Sequence, residues 1–136
     1  MFFNKNNNNN KELIKIAALL IHAAKIDENY SSEEEEIIKK TLLKIGAEDS
    51  NLEQIMIDSK EIEKNSVQIL DFTKEVKNMT EKNKIKIVET LWKIIYSNKD
   101  ADIYEANLMR RLAGLLYIDT KTMGDIKERI KKESLL

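Results

Sequence analysis

Two short stretches hold the oxygen-bearing side chains whose spacing suggests chemistry. One is Asp27, Asn29, Ser31 and Glu34; the other is Asn98, Asp100, Asp102 and Glu105. In each, alternate positions place oxygen donors on one side of a curled loop. A carboxylate on the first turn of the next helix can then close a cage. Hard oxygen ligands of mixed charge, completed by a carboxylate from the following helix, are how short loops hold calcium. The same residues support a second reading. Ser31 with Glu34, and Asp102 with Glu105, have the spacing of capping boxes that satisfy the exposed N–H groups of a helix start. Neither loop contains the Gly that an EF-hand loop needs for its sharp turn. On spacing alone the capping reading is the heavier, and both stay open.

Other chemistry is sparse. His22 is the sole histidine and sits in an apolar run, where a packing or half-exposed role fits better than catalysis. A nucleophile–base arrangement would need a Ser brought beside it by the fold. There is no Gly-rich phosphate loop, no H-E-x-x-H and no cysteine, so thiolate metal sites and cysteine nucleophiles are excluded. The chain is expected not to be an enzyme.

The elements that must position these loops are helices. The 136 residues contain no Pro, three Gly and abundant Ile, Leu, Lys and Glu, a helix-forming composition. Periodic apolar stripes predict helices over 11–26, 31–45, 50–60, 66–79, 81–96, 102–116 and 120–133. Ser31, Ser50 and Thr80 are expected caps, and Gly46 is expected to close the second helix. The first and fifth stripes are wide, which places both helices centrally. Trp92 and the other aromatics lie on stripes and read as core. The Asn run at 6–10 is expected to make residues 1–10 a flexible lead-in to a domain over 11–136.

A net charge of −1 removes the basic face that nucleic-acid binding requires. The longest apolar stretch, Ile16 to Ala24, is far shorter than the roughly 20 residues that span a bilayer. The first residues lack the pattern of a secretory signal, so a cytoplasmic location is expected.

The chain also reads as two copies of one unit. Slid along itself without a gap until Ile14 falls on Ile85, it also places Leu20 on Leu91, Ser31 on Asp102, Glu34 on Glu105 and Ile55 on Ile126. Apolar periodicity alone would reproduce the Ile and Leu matches, but not so easily a cap and a loop at the same register. The expected fold is an all-α, single-domain bundle of about seven helices with a pseudo-two-fold helix–loop–helix repeat.

The segment from Leu91 to Ala113 resembles the second half of the tellurite-resistance TerB family, especially its TerB-like branch. An apolar helix leads to an acidic loop around Ala101-Asp102, then Tyr104-Glu105 and the pair Arg110-Arg111. Ala23 to Ile38 resembles the matching first half. The resemblance spans about residues 11 to 134. It implies an all-helical cytoplasmic module linked to stress and tellurite resistance, acting as an interaction scaffold near membrane partners. It also implies divalent-cation binding, calcium foremost, with Asp27, Asn29 and Glu34 as ligands in the first copy and Asp100, Asp102 and Glu105 in the second. Asn98 and Ser31 stand where the family pattern is acidic, which lowers the negative charge at each site. The alternative is a metal-free interaction domain, for instance a homodimer through the wide apolar helices.

Overall fold

The computed structural model describes residues 2–25, 30–65, 70–97 and 103–134, with side chains over 10–25, 30–65, 72–97 and 107–134. Seven α-helices run through the described residues: α1 Phe2–Ala24, α2 Ser32–Lys44, α3 Asp49–Asn65, α4 Leu70–Lys77, α5 Glu81–Ser97, α6 Ile103–Leu115 and α7 Thr120–Ser134. The all-α bundle expected from the stripes is what the chain forms.

Two helices lie at the centre because their sequences are apolar on more than one side. In α1, every residue from Ile16 to Ile21 is buried. In α5, Ile87, Val88, Leu91, Trp92, Ile94 and Ile95 are buried. A helix apolar around most of its circumference must be surrounded. Accordingly α1 packs on α2, α3, α4 and α5, and α5 packs on α2, α4 and α7 as well. Each buried Leu or Ile contributes about 1.5–3 kcal/mol of transfer free energy. Phe72 and Val76 of α4 are buried as their stripe required; Val67 and Ile69 lie outside the described residues.

The helix bounds depart from expectation in two places. Helix α1 starts at Phe2, ahead of Lys11. Asn is a mediocre helix former but costs less than Gly or Pro, so a strong downstream helix can propagate back through it. Helix α3 runs on to Asn65, past Lys60, because Ile62 and Glu63 continue the inward stripe and Glu63 is buried.

Helices α2 and α6 keep the register that sets Ile14 on Ile85: Ser32 falls on Ile103 where each begins, and Lys44 on Leu115 where each ends. Their C-terminal ends are built alike. The Ala47 N–H donates to the Leu42 carbonyl at 2.9 Å, and the Ile118 N–H to the Ala113 carbonyl at 2.9 Å. Both are the six-to-one bond of a Schellman motif, which needs a positive φ at the residue between. Gly46 supplies it with φ 126°, as its residue type suggested. Its counterpart, Tyr117, supplies it with φ 57°.

Candidate functional site

The start of α2 is built as its residue types require. The Ser31 Oγ accepts the Glu34 N–H at 3.1 Å, and the Glu34 carboxylate accepts the Ser31 N–H at 2.8 Å and its hydroxyl at 3.1 Å. The box is reciprocal and complete. Glu34 is 2% exposed. A buried carboxylate is costly unless hydrogen-bonded, and the two Ser31 donors meet part of that need.

Around this start, α3 brings partners that lie far away in sequence. Lys60 pairs with Glu35. Tyr30 donates its hydroxyl to the same Glu35 oxygen at 3.4 Å, and the Lys60 ammonium stands 6.0 Å from the centre of the Tyr30 ring. The hydrogen bond from Lys60 holds the Glu35 carboxyl below its ordinary range. Burial, and then the Glu35 charge, push the Tyr30 phenol well above its ordinary value. One helical turn further on, Glu63 accepts Lys25 at 2.8 Å and stands 3.4 Å from His22 Nδ1. The side chain of Glu63 is 8% exposed and that of His22 31%. His22 also meets the Phe72 ring, at 6.4 Å between centroids. It is thus a half-exposed packing residue beside a carboxylate. The pairings that α3 makes have no local sequence signal: the partners are remote in the chain and meet only because α3 packs along α1 and α2.

Of the six residues expected to ligate a cation, Glu34 is placed with its surroundings. Asp27, Asn29, Asp100 and Asp102 lie outside the described residues. Glu105 is on α6, with its side chain outside them. Among the described residues no group of three or more His, Cys, Asp or Glu side chains is arranged to hold a metal ion. Among the expected ligands, the described residues hold one hard oxygen donor with its surroundings, the Glu34 carboxylate, fixed on the first turn of α2. That donor type suits calcium or magnesium and is ill suited to soft metals.

The flanks of the two loops share a groove. A cavity of about 480 Å³ lies between α2, α5 and α7, with Ile37, Tyr96 and Ile130 as its apolar members and Glu33, Lys93 and Glu133 as its charged ones. Ser97, the last residue of α5, lines it too. Glu33 follows the first loop by a few residues and Ser97 immediately precedes the second. Tyr96 stacks on Trp92, with 6.0 Å between ring centroids.

Residues 13–128 match a protein-family model described as tellurite resistance protein TerB. The chain belongs to the TerB family. The match covers both loop segments, the capped start of α2 and helices α2 and α6, which makes the chain a TerB-like module related to tellurite resistance. No curated protein and no solved structure gives a significant match. Among the described residues, no helix is long and apolar enough to cross a membrane.

Proposed function

We infer that this TerB-family chain is a non-enzymatic interaction module. Its working face is the groove between α2, α5 and α7, and its regulator is a divalent cation, calcium foremost, at the acidic loops. The observation that carries this reading is the shared groove: the flank of each loop, at Glu33 and at Ser97, lines the same cavity. A cation that fixes either loop would therefore act on one partner-binding surface. The apolar members Ile37, Tyr96 and Ile130 with a charged rim suit a protein partner. Glu34 would supply a carboxylate to the first ion, with Asp27 and Asn29; Asp100, Asp102 and Glu105 would serve the second. The common register of α2 and α6, which begin and end at matching positions, supports treating the two loops as equivalent.

Calcium titration followed by amide NMR tests it. Shifts at Ile37, Tyr96 and Ile130 on adding calcium, lost in Asp27→Ala and Asp100→Ala, are expected. No shift at millimolar calcium, with both variants silent, would sink the cation part.

A second reading, a metal-free interaction or homodimerisation domain, is favoured by one observation. The Ser31–Glu34 box is complete in itself, so Glu34 has a structural task without any ion. Light scattering separates the two: a dimer indifferent to chelator supports the second reading.

A further inference from the structure

Beyond the loops, the helix pairs α2–α3 and α6–α7 differ at one place, where a cavity lies beside the second. Between α2 and α3, Lys39 pairs with Glu53 at 3.2 Å, and Leu42 is buried beneath. In the register that sets α2 on α6, Lys39 falls on Arg110, Glu53 on Gly124 and Leu42 on Ala113. The cation is kept, its carboxylate is gone, and the apolar side chain has shrunk to a methyl group. Beside the second pair lies a cavity of about 220 Å³ lined by Arg110, Ala113, Gly124, Lys127, Met123 and Trp92.

Its lining defines what that cavity takes. Arg110 and Lys127 line it and no Asp or Glu does. Arg110 has no ion pair among the described residues, and Lys127 stands 5.5 Å from the centre of the Trp92 ring. Asp125 and Glu128, next in sequence to Gly124 and Lys127, do not line it, and Asp119 at the start of α7 is committed to capping: it accepts the Thr122 N–H at 2.9 Å and the Thr122 hydroxyl at 2.7 Å. Trp92, 5% exposed, contributes its ring to the lining. The cavity thus combines an exposed guanidinium, without an ion pair among the described residues, and walls of methionine, alanine and indole.

We propose that this α5–α6–α7 cavity binds a small carboxylate with a short apolar tail. Its carboxylate takes the place, against Arg110, that Glu53 holds against Lys39. Guanidinium and carboxylate match as a two-pronged pair, and the tail lies on Met123, Ala113 and the Trp92 ring. The cavity admits a molecule of hexanoate size; so small a ligand binds at about millimolar concentration.

Trp92 is the only tryptophan in the chain, so its fluorescence reports the site directly. Sodium hexanoate is titrated at constant ionic strength, with sodium chloride and hexanamide as separate arms. Saturable change with hexanoate, at least tenfold weaker with hexanamide and absent with chloride, is expected. Arg110→Gln should weaken hexanoate at least tenfold. Gly124→Glu should abolish the response, because it restores the acid of the first pair. It should also keep the fold, since an added Cβ at Gly124 meets nothing within 4 Å. Equal responses to hexanoate and hexanamide, no saturable response, or undiminished binding in either variant would overturn the proposal.

Discussion

The hydroxyls of Thr41 and Thr90 meet at 2.6 Å in the buried seam between α2 and α5. Thr41 also reaches the Ile37 carbonyl at 3.1 Å and Thr90 the Lys86 carbonyl at 2.8 Å. Two hydroxyl protons thus serve three contacts, and the longest, Thr41 to Ile37, is the one that yields when Thr41 donates to Thr90. Replacing either threonine by valine keeps the shape and strands one oxygen, at a cost of about 1 kcal/mol. Replacing both removes the pair together, so the double variant should lose clearly less than the two singles summed. Urea denaturation of the three variants checks this; strict additivity would show that the two hydroxyls do not interact.

Tyr117 holds a left-handed backbone at φ 57° where the matching end of α2 has Gly46. An L-residue there brings its Cβ against the following carbonyl, at a cost of about 1–2 kcal/mol. The Tyr117 side chain is two-thirds exposed, and its ring receives the Lys77 ammonium at 4.7 Å, an exposed contact adding about 0.5 kcal/mol. Tyr117→Gly should therefore be more stable than Tyr117→Ala by about 1 kcal/mol, because both lose the ring and only Gly relieves the backbone. Gly46→Ala should destabilise by about 1–3 kcal/mol through its φ of 126° alone, since nothing lies within 4 Å of an added Cβ. Thermal melts of the three variants measure these differences.

These two ends show where sequence reading reaches and where it stops. Gly46 was legible as a helix stop because glycine advertises positive φ. Tyr117 was not, because nothing in a tyrosine does. The start of α2 was legible because a capping box is local: Ser31 and Glu34 stand one helical turn apart. Thr80 likewise caps α5 by accepting the Asn83 N–H. Ser50, by contrast, lies in the first turn of α3, which begins at Asp49; the cap position falls on Glu48, whose carbonyl accepts the Asn51 N–H at 3.0 Å, and a glutamate carries no cap signal in sequence. The Glu63 cluster and the Lys60–Glu35 pair depend on how α3 lies against α1 and α2, and periodicity fixes which face is buried but not which residues meet across it. The cavity at Arg110 depends likewise on how α5, α6 and α7 meet, which no local pattern gives.

The Glu35–Lys60 pair gives the chain an acid-sensitive contribution. The Glu35 carboxyl lies below its ordinary 4.5 chiefly because Lys60 hydrogen-bonds to it. A depressed folded value means stability that is present above the unfolded carboxylate range and is lost as pH falls through the folded value. Lys60 is half exposed and Glu35 a quarter, so solvent screening keeps the gain to about 0.5–1 kcal/mol. Lys60→Met should lower stability by that amount near neutral pH, and its deficit against the parent should vanish below the carboxylate range. The check is a series of urea midpoints from pH 7 to pH 3. A deficit that does not change with pH would mean that Lys60 acts through packing on Tyr30 and not through its charge.

The last prediction separates the two tasks assigned to Glu34. Removing the cap alone, with Ser31→Ala, should cost about 1 kcal/mol in chelator, and the carboxylate stays in place. Glu34→Gln should cost a similar amount, because its amide oxygen can still accept the Ser31 N–H but without charge. Calcium then divides them. An ion bound only by the folded chain stabilises it by about 2.7 kcal/mol at a hundredfold excess over its dissociation constant. If Glu34 is a ligand, Ser31→Ala gains that increment and Glu34→Gln gains little. Thermal melts in chelator and in millimolar calcium give the four numbers. Equal increments in the two variants would leave Glu34 a cap and place the cation, if one binds, on other oxygens.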